Sequence, residues 1–233
     1  MVPFKRLFSS SLGRKYLMGA SGLALVLFIL VHLLGNLTFY SHNGDATNAY
    51  SAKLHSLGLL LVVAEWGLFA VIILHIYMAF QVTYRSKVAR PIGYDSLKSK
   101  GGPTKSNVTT RNMIYTGIVL LVFLIIHLKQ FRFGPDLEDG YTATVNGVMV
   151  DDVYRVGVET FQNVGWVAFY VFSMFFLGFH FRHGFWSMFQ SLGALNPRWS
   201  KPIHAMGLII AILMAVGFLG IPIYLHVTQG GVQ

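Results

Sequence analysis

No cysteine occurs anywhere in the 233 residues. That absence excludes disulfides, thiolate metal sites, iron–sulfur ligation within this chain and thiol catalysis. Charge is scarce as well. Only 12% of residues are Asp, Glu, Lys or Arg, about half the share of an ordinary soluble domain. Acids are the rarer sign, 9 against 18 Lys and Arg, which leaves a net charge of +9. An excess of that size could serve a nucleic acid. Here the basic residues gather between apolar runs, a pattern that membrane topology explains and nucleic-acid binding does not.

Long apolar runs are what the sequence has in quantity. They cover roughly Tyr16–Tyr40, Ser56–Tyr84, Asn112–Phe131, Val164–Phe189 and His204–His226, each near the roughly 20 residues that cross a bilayer. The pattern predicts an all-α integral membrane protein, residues 1–233 forming one transmembrane domain of five helices. Met1–Lys15 is basic (Lys5, Arg6, Arg14, Lys15), as a signal peptide would be. The run that follows is too long for a signal peptide's apolar core and reads as a retained first span. Thr109 and Thr110 are expected to cap the third span, and Pro222 to bend or end the fifth. The longest outer loop, 132–163, contains two β-prone runs joined by Asn146-Gly147, which predicts a hairpin. A short surface helix over Asp152–Phe161 should follow. Fourteen of the 18 Lys and Arg fall on the side that holds the N-terminus, so the N-terminus is expected in the cytoplasm.

Four of these spans carry a histidine, and an ionisable side chain in hydrocarbon is by default functional. Within Val164–Gly193, His180 is followed four residues later by Gly184, one turn along the same face. Counting 1.5 Å of rise per residue, His32 lies roughly 24 Å and His127 roughly 22 Å from the cytoplasmic ends of spans one and three. His75 and His180, on helices that run the other way, lie roughly 13 and 9 Å from that side. The four therefore form an outer pair and an inner pair. Spans one and three also resemble each other, Leu-Val-Leu-Phe-Ile-Leu-Val-His32-Leu against Val-Leu-Leu-Val-Phe-Leu-Ile-Ile-His127-Leu. That predicts a four-helix bundle with the fifth helix outside the histidine set. Two facing imidazoles without a carboxylate or thiolate suit a six-coordinate haem iron, whereas zinc or copper would need further ligands. Gly35 and Gly184 are expected to leave room for the macrocycle. Imidazoles on both axial positions block oxygen binding, so the expected role is electron transfer.

At this point the sequence resembles a known family, the five-helix, di-haem cytochrome b anchor subunits of succinate dehydrogenases and fumarate reductases. The residues that carry the likeness are His32-Leu-Leu-Gly-Asn36, Leu74-His75-Ile76-Tyr77, Arg90-Pro-Ile-Gly-Tyr94, His127 and His180-x3-Gly184-Phe-Trp186. The resemblance implies two haem b groups, the outer held by His32 and His127 and the inner by His75 and His180. It implies an iron–sulfur subunit and a flavoprotein subunit as partners, which carry the clusters and FAD, and a membrane quinone (menaquinone or ubiquinone) as substrate. It also implies a multi-pass place in a bacterial cytoplasmic membrane. Lys15, Arg182 and His183 would lie near the cytoplasmic surface, toward haem propionates or the partner. His183, three residues beyond His180, is the rival ligand, and the spacing to Gly184 favours His180. Some family members have a carboxylate where this chain has Gly178, so a proton route through that position does not carry over. Glu65, a carboxylate well inside span two, is a candidate quinone or proton site. A cytochrome b of a hydrogenase or formate dehydrogenase, or a haem-free transporter using the same histidines, are the alternative readings.

Overall fold

In hydrocarbon no water is present to satisfy a peptide group, so an apolar run of bilayer length has one economical conformation, the α-helix. The computed structural model describes residues 4–41, 43–89 and 112–229 and is mostly helical. After a short helix α1 (Phe4–Ser9) come α2 (Ser11–Asn36), α3 (Asp45–His55), α4 (Leu59–Val88) and α5 (Met113–His127). Strands β1 (Thr142–Val145) and β2 (Val148–Asp151) follow, then α6 (Val153–Gln162), α7 (Val164–Ser191) and α8 (Pro197–Gln229). A 3₁₀ turn, Leu37–Tyr40, extends α2, and a π turn, Leu128–Arg132, extends α5. Five of these segments are long and apolar enough to cross a membrane, the shortest having 20 residues, about 30 Å of helix. Large apolar side chains such as Leu27, Val63, Trp66, Phe172 and Val216 face outward. In water such a surface would aggregate. In lipid it is the expected one, and the chain is a multi-pass membrane protein.

Two boundaries differ from the sequence expectation. Helix α8 starts at Pro197 rather than near His204, because Asn196 Oδ1 accepts from the backbone N–H of Arg198 and Trp199 at 3.0 and 3.1 Å. An Asn cap followed by proline at the first helical position is a helix start. At its other end α8 runs through Pro222 to Gln229, so that proline does not terminate it. Proline is tolerated in membrane spans where the surroundings accommodate the freed backbone groups. The expected caps Thr109 and Thr110, the segment Arg90–Tyr94, and Arg111 lie outside the described residues.

The described chain divides into two compact units. One comprises Met1–Phe28, Trp66–Gly117 and Phe179–Ala211, with Met78, Phe181, Phe185, Trp186 and Ile203 buried. The other comprises Ile29–Glu65, Ile118–Gly178 and Ile212–Gln233. Its core joins Phe39, Phe161, Val167, Tyr170, Ile221 and Leu225. In that second unit the hairpin forms as the sequence predicts. Asn146 and Gly147 both take positive φ, 52° and 80°, as a two-residue turn that matches strand twist requires. β1 pairs antiparallel with β2 in the register Thr142↔Asp151 to Val145↔Val148. Tyr141 and Arg155 both donate to Glu159, and those bonds hold the Glu159 carboxyl below its usual range.

Helix α3, absent from the sequence reading, is tied to α6 by one side chain. Buried Asn48 donates to Asp152 Oδ1 at 2.8 Å and accepts from the Tyr154 N–H at 3.1 Å. Asp152 also caps α6 by accepting from the Arg155 N–H. Asn48→Ala leaves those groups without their partner and is expected to cost about 1–3 kcal/mol locally. Hydrogen exchange should show faster opening of 45–55 and 153–162, with the exchange of α7 unchanged.

Candidate functional site

A neutral imidazole has one N–H to donate and one nitrogen lone pair. What a buried histidine can do depends on which nitrogen its neighbours occupy. In the first unit, His75 Nδ1 lies 3.2 Å from Ser21 Oγ of α2. His180 Nδ1 lies 3.0 Å from Thr116 Oγ1 of α5. Both hydroxyls are buried. The next residue on each helix is a glycine whose backbone faces the same imidazole. A Cβ added to Gly22 would sit 3.7 Å from His75 Cε1, and one added to Gly117 would sit 3.5 Å from His180 Cε1. His75 is also near enough to His180 to interact with it electrostatically.

In the second unit His32 and His127 meet edge to face, ring centroids 5.9 Å apart and planes at 81°. Phe123 and Phe131, one turn to either side, lie against His127 at 5.3 and 5.2 Å, and Phe218 of α8 lies 5.8 Å from His32. The Asn36 amide donates to the His32 carbonyl at 2.8 Å and sits 3.4 Å from both ring nitrogens. His127 Nδ1 is buried with no hydrogen-bond partner. Directly after His127 the backbone switches to the π turn, a distortion often found at functional positions. The sequence-predicted pairs, His75 with His180 and His32 with His127, thus each fall within a single unit.

Ser21 and Thr116 are the site residues that sequence reasoning missed, although a signal was present. Ser21–Leu33 and Thr116–Leu128 align without a gap, hydroxyl on hydroxyl, Gly22 on Gly117, Phe28 on Phe123 and His32 on His127. Comparing only the residues next to the histidines hides the first two of these matches.

The flanking candidates behave differently from one another. Lys15 and Arg182 are exposed. His183 is buried, its ring 4.8 Å from Trp186, which in turn lies 4.8 Å from His204. Arg14, expected on the docking face, is buried as well and donates to the carbonyls of Phe8 and Ser9 at 3.2 and 2.6 Å. Glu65 receives a two-pronged ion pair from Arg132, at 3.1 and 3.0 Å, with both side chains partly exposed. It is an arginine-paired carboxylate, not a lone carboxyl held between helices. Gly35 makes way for the Tyr50 ring, which a Cβ would approach to 2.5 Å, whereas an added Cβ at Gly184 meets nothing within 4 Å.

No group of three or more His, Asp or Glu that could hold a metal ion occurs among the described residues. Pairs of imidazoles are what a haem iron needs when the macrocycle supplies the other four ligands. Metal–nitrogen bonds of about 2.0 Å to two imidazoles place their ring centroids roughly 6 Å apart, close to the 5.9 Å between His32 and His127. The partnerless His127 nitrogen and the open space at Gly184 fit the same group.

The two glycines separate packing from cofactor space. Gly35→Ala should lower thermal stability by about 1–3 kcal/mol through overpacking against Tyr50. Gly184→Ala should leave the fold as stable as before, since alanine is the better helix former, and should reduce the haem retained at the His180 site. Thermal melts with a pyridine haemochrome assay on each variant read both effects. No family model, curated protein or solved structure gives a significant match to this chain.

Proposed function

We propose that this chain is the membrane-anchor cytochrome b subunit of a succinate:quinone oxidoreductase, a succinate dehydrogenase or fumarate reductase. The observation that supports it is the division of four intramembrane histidines into two pairs, His75 with His180 in one unit and His32 with His127 in the other. Each pair would hold one haem b within a four-helix bundle of spans one to four, the fifth helix being peripheral. When bound, the two haems supply one-electron transfer between a partner's iron–sulfur clusters and membrane quinone. The chain's own residues do the holding and the excluding. Both imidazoles of a pair take axial positions, so no site is left for oxygen. The apolar shell, with Phe123, Phe131 and Phe218 around the outer pair, keeps water away. The dicarboxylate chemistry belongs to partner chains, because a chain without cysteine has no thiolates to hold iron–sulfur clusters.

The N-terminus faces the cytoplasm of a bacterial inner membrane in this reading, and exposed Lys15, Arg85 and Arg182 lie toward the iron–sulfur subunit. Arg14 and His183, both buried, contribute packing there. Quinone reduction takes up a proton with each electron. Glu65, held by Arg132 in the unit that contains the outer pair, is the carboxylate placed to relay protons to an outer quinone site.

The test is the haem content and subunit composition of the purified complex. The wild type should carry two b haems with a flavoprotein and an iron–sulfur subunit. His75→Ala or His180→Ala should remove one haem, and His32→Ala or His127→Ala the other. Loss of the same haem by His32→Ala and His180→Ala would break the pairing, and a wild type without a b-type spectrum would favour a haem-free transporter. Glu65→Gln should keep both haems and the assembly while losing most quinone-linked turnover; normal turnover would remove Glu65 from the scheme.

A further inference from the structure

We infer that Ser21 and Thr116 are positioning residues that fix the tautomer of the inner histidines, leaving Nε2 of both His75 and His180 as the metal-binding nitrogen. This rests on the haem reading above for its consequence, though not for its geometry. A serine or threonine hydroxyl owns one proton. Ser21 Oγ spends that proton on the Met18 carbonyl, 3.1 Å away, and Thr116 Oγ1 spends its own on the Met113 carbonyl at 3.0 Å. Toward the imidazole each oxygen has only lone pairs to offer. Contact at 3.2 and 3.0 Å with Nδ1 therefore makes Nδ1–H the donor in both. The unprotonated nitrogen is Nε2, on the opposite side of the ring.

The same relay, imidazole N–H to hydroxyl to helix carbonyl, is built twice, from α2 onto α4 and from α5 onto α7. Two serine or threonine residues with the same i−3 carbonyl bond, each followed by glycine, meet the two histidines of one pair and neither histidine of the other. A hydroxyl that backs off an imidazole from its iron raises the basicity of the ligand and orients the ring. Greater basicity stabilises the oxidised iron, so the relay lowers the potential of the inner haem and tightens its hold.

The experiment uses the purified full-length complex with Ser21→Ala and Thr116→Val, and with Ser21→Thr and Thr116→Ser as the conservative pair. The first two should raise the midpoint potential of the haem that His75→Ala abolishes, weaken its retention about ten- to a hundredfold, and leave the other haem unmoved. The conservative variants should restore both quantities. An unchanged potential and retention in assembled Ser21→Ala and Thr116→Val complexes would overturn the inference. A second measurement needs no variant. Nitrogen-15 spectra of histidine-labelled wild-type protein, recorded reduced, should show Nδ1–H at His75 and His180, and Nε2–H at either one overturns it. A wild type that contains no haem would defeat the reading of the preceding section, while the nitrogen spectra would still decide the tautomer.

Discussion

An imidazole placed in hydrocarbon must have both of its nitrogens accounted for. Water is absent, and a polar group left bare in an apolar medium costs a few kcal/mol. This constraint separates the chain's intramembrane histidines by their neighbours. His75 and His180 each have Nδ1 against a hydroxyl. His127 has a buried Nδ1 with nothing against it and lies beside a second imidazole. Neither arrangement closes on itself as a finished structural hydrogen-bond network, because in each pair ring nitrogens remain to be satisfied by something held between the helices.

The spanning helices were legible in the sequence because the bilayer imposes a length and a composition that survive any detail of packing. Their ends were less so. Asn196-Pro197 is a strong start signal by local chemistry, but it lies in a polar stretch before the apolar run, and hydropathy alone placed the start at His204. Pro222 misled in the opposite direction, since the rule that proline ends a helix comes from chains whose freed carbonyl can turn to water. Helix α3 carried no apolar periodicity because what it buries are Thr47 and Asn48. It is organised by hydrogen bonds to the loop before α7, contacts more than 100 residues away in sequence.

The site was legible to the same extent and for a related reason. Histidine in a span is rare enough to stand out, so all four were found and paired by depth. Ser21 and Thr116 did not stand out, because serine and threonine are tolerated in membrane helices wherever they can bond back to a carbonyl. Their second bond, to a histidine on another helix, is a tertiary fact. Gly35 misled by proximity: it follows His32 by three residues, yet the space it leaves is filled by Tyr50.

The repeat gains meaning once those hydroxyls are included. Eleven residues make close to three helical turns, so Ser21 and His32 share one face of α2, as Thr116 and His127 share one face of α5. The hydroxyl on each of these helices serves a histidine on the next spanning helix, while the histidine on the same helix belongs to the other pair. A helical hairpin therefore contributes a hydroxyl and its recipient histidine to one pair and a single imidazole to the other. Two such hairpins complete both pairs, and one hairpin completes neither. A duplicated hairpin accounts for the ungapped match of Ser21–Leu33 with Thr116–Leu128 and for the equal donation to both inner histidines. The divergence is confined to the outer pair, where Asn36 stands beside His32 and the π turn begins after His127.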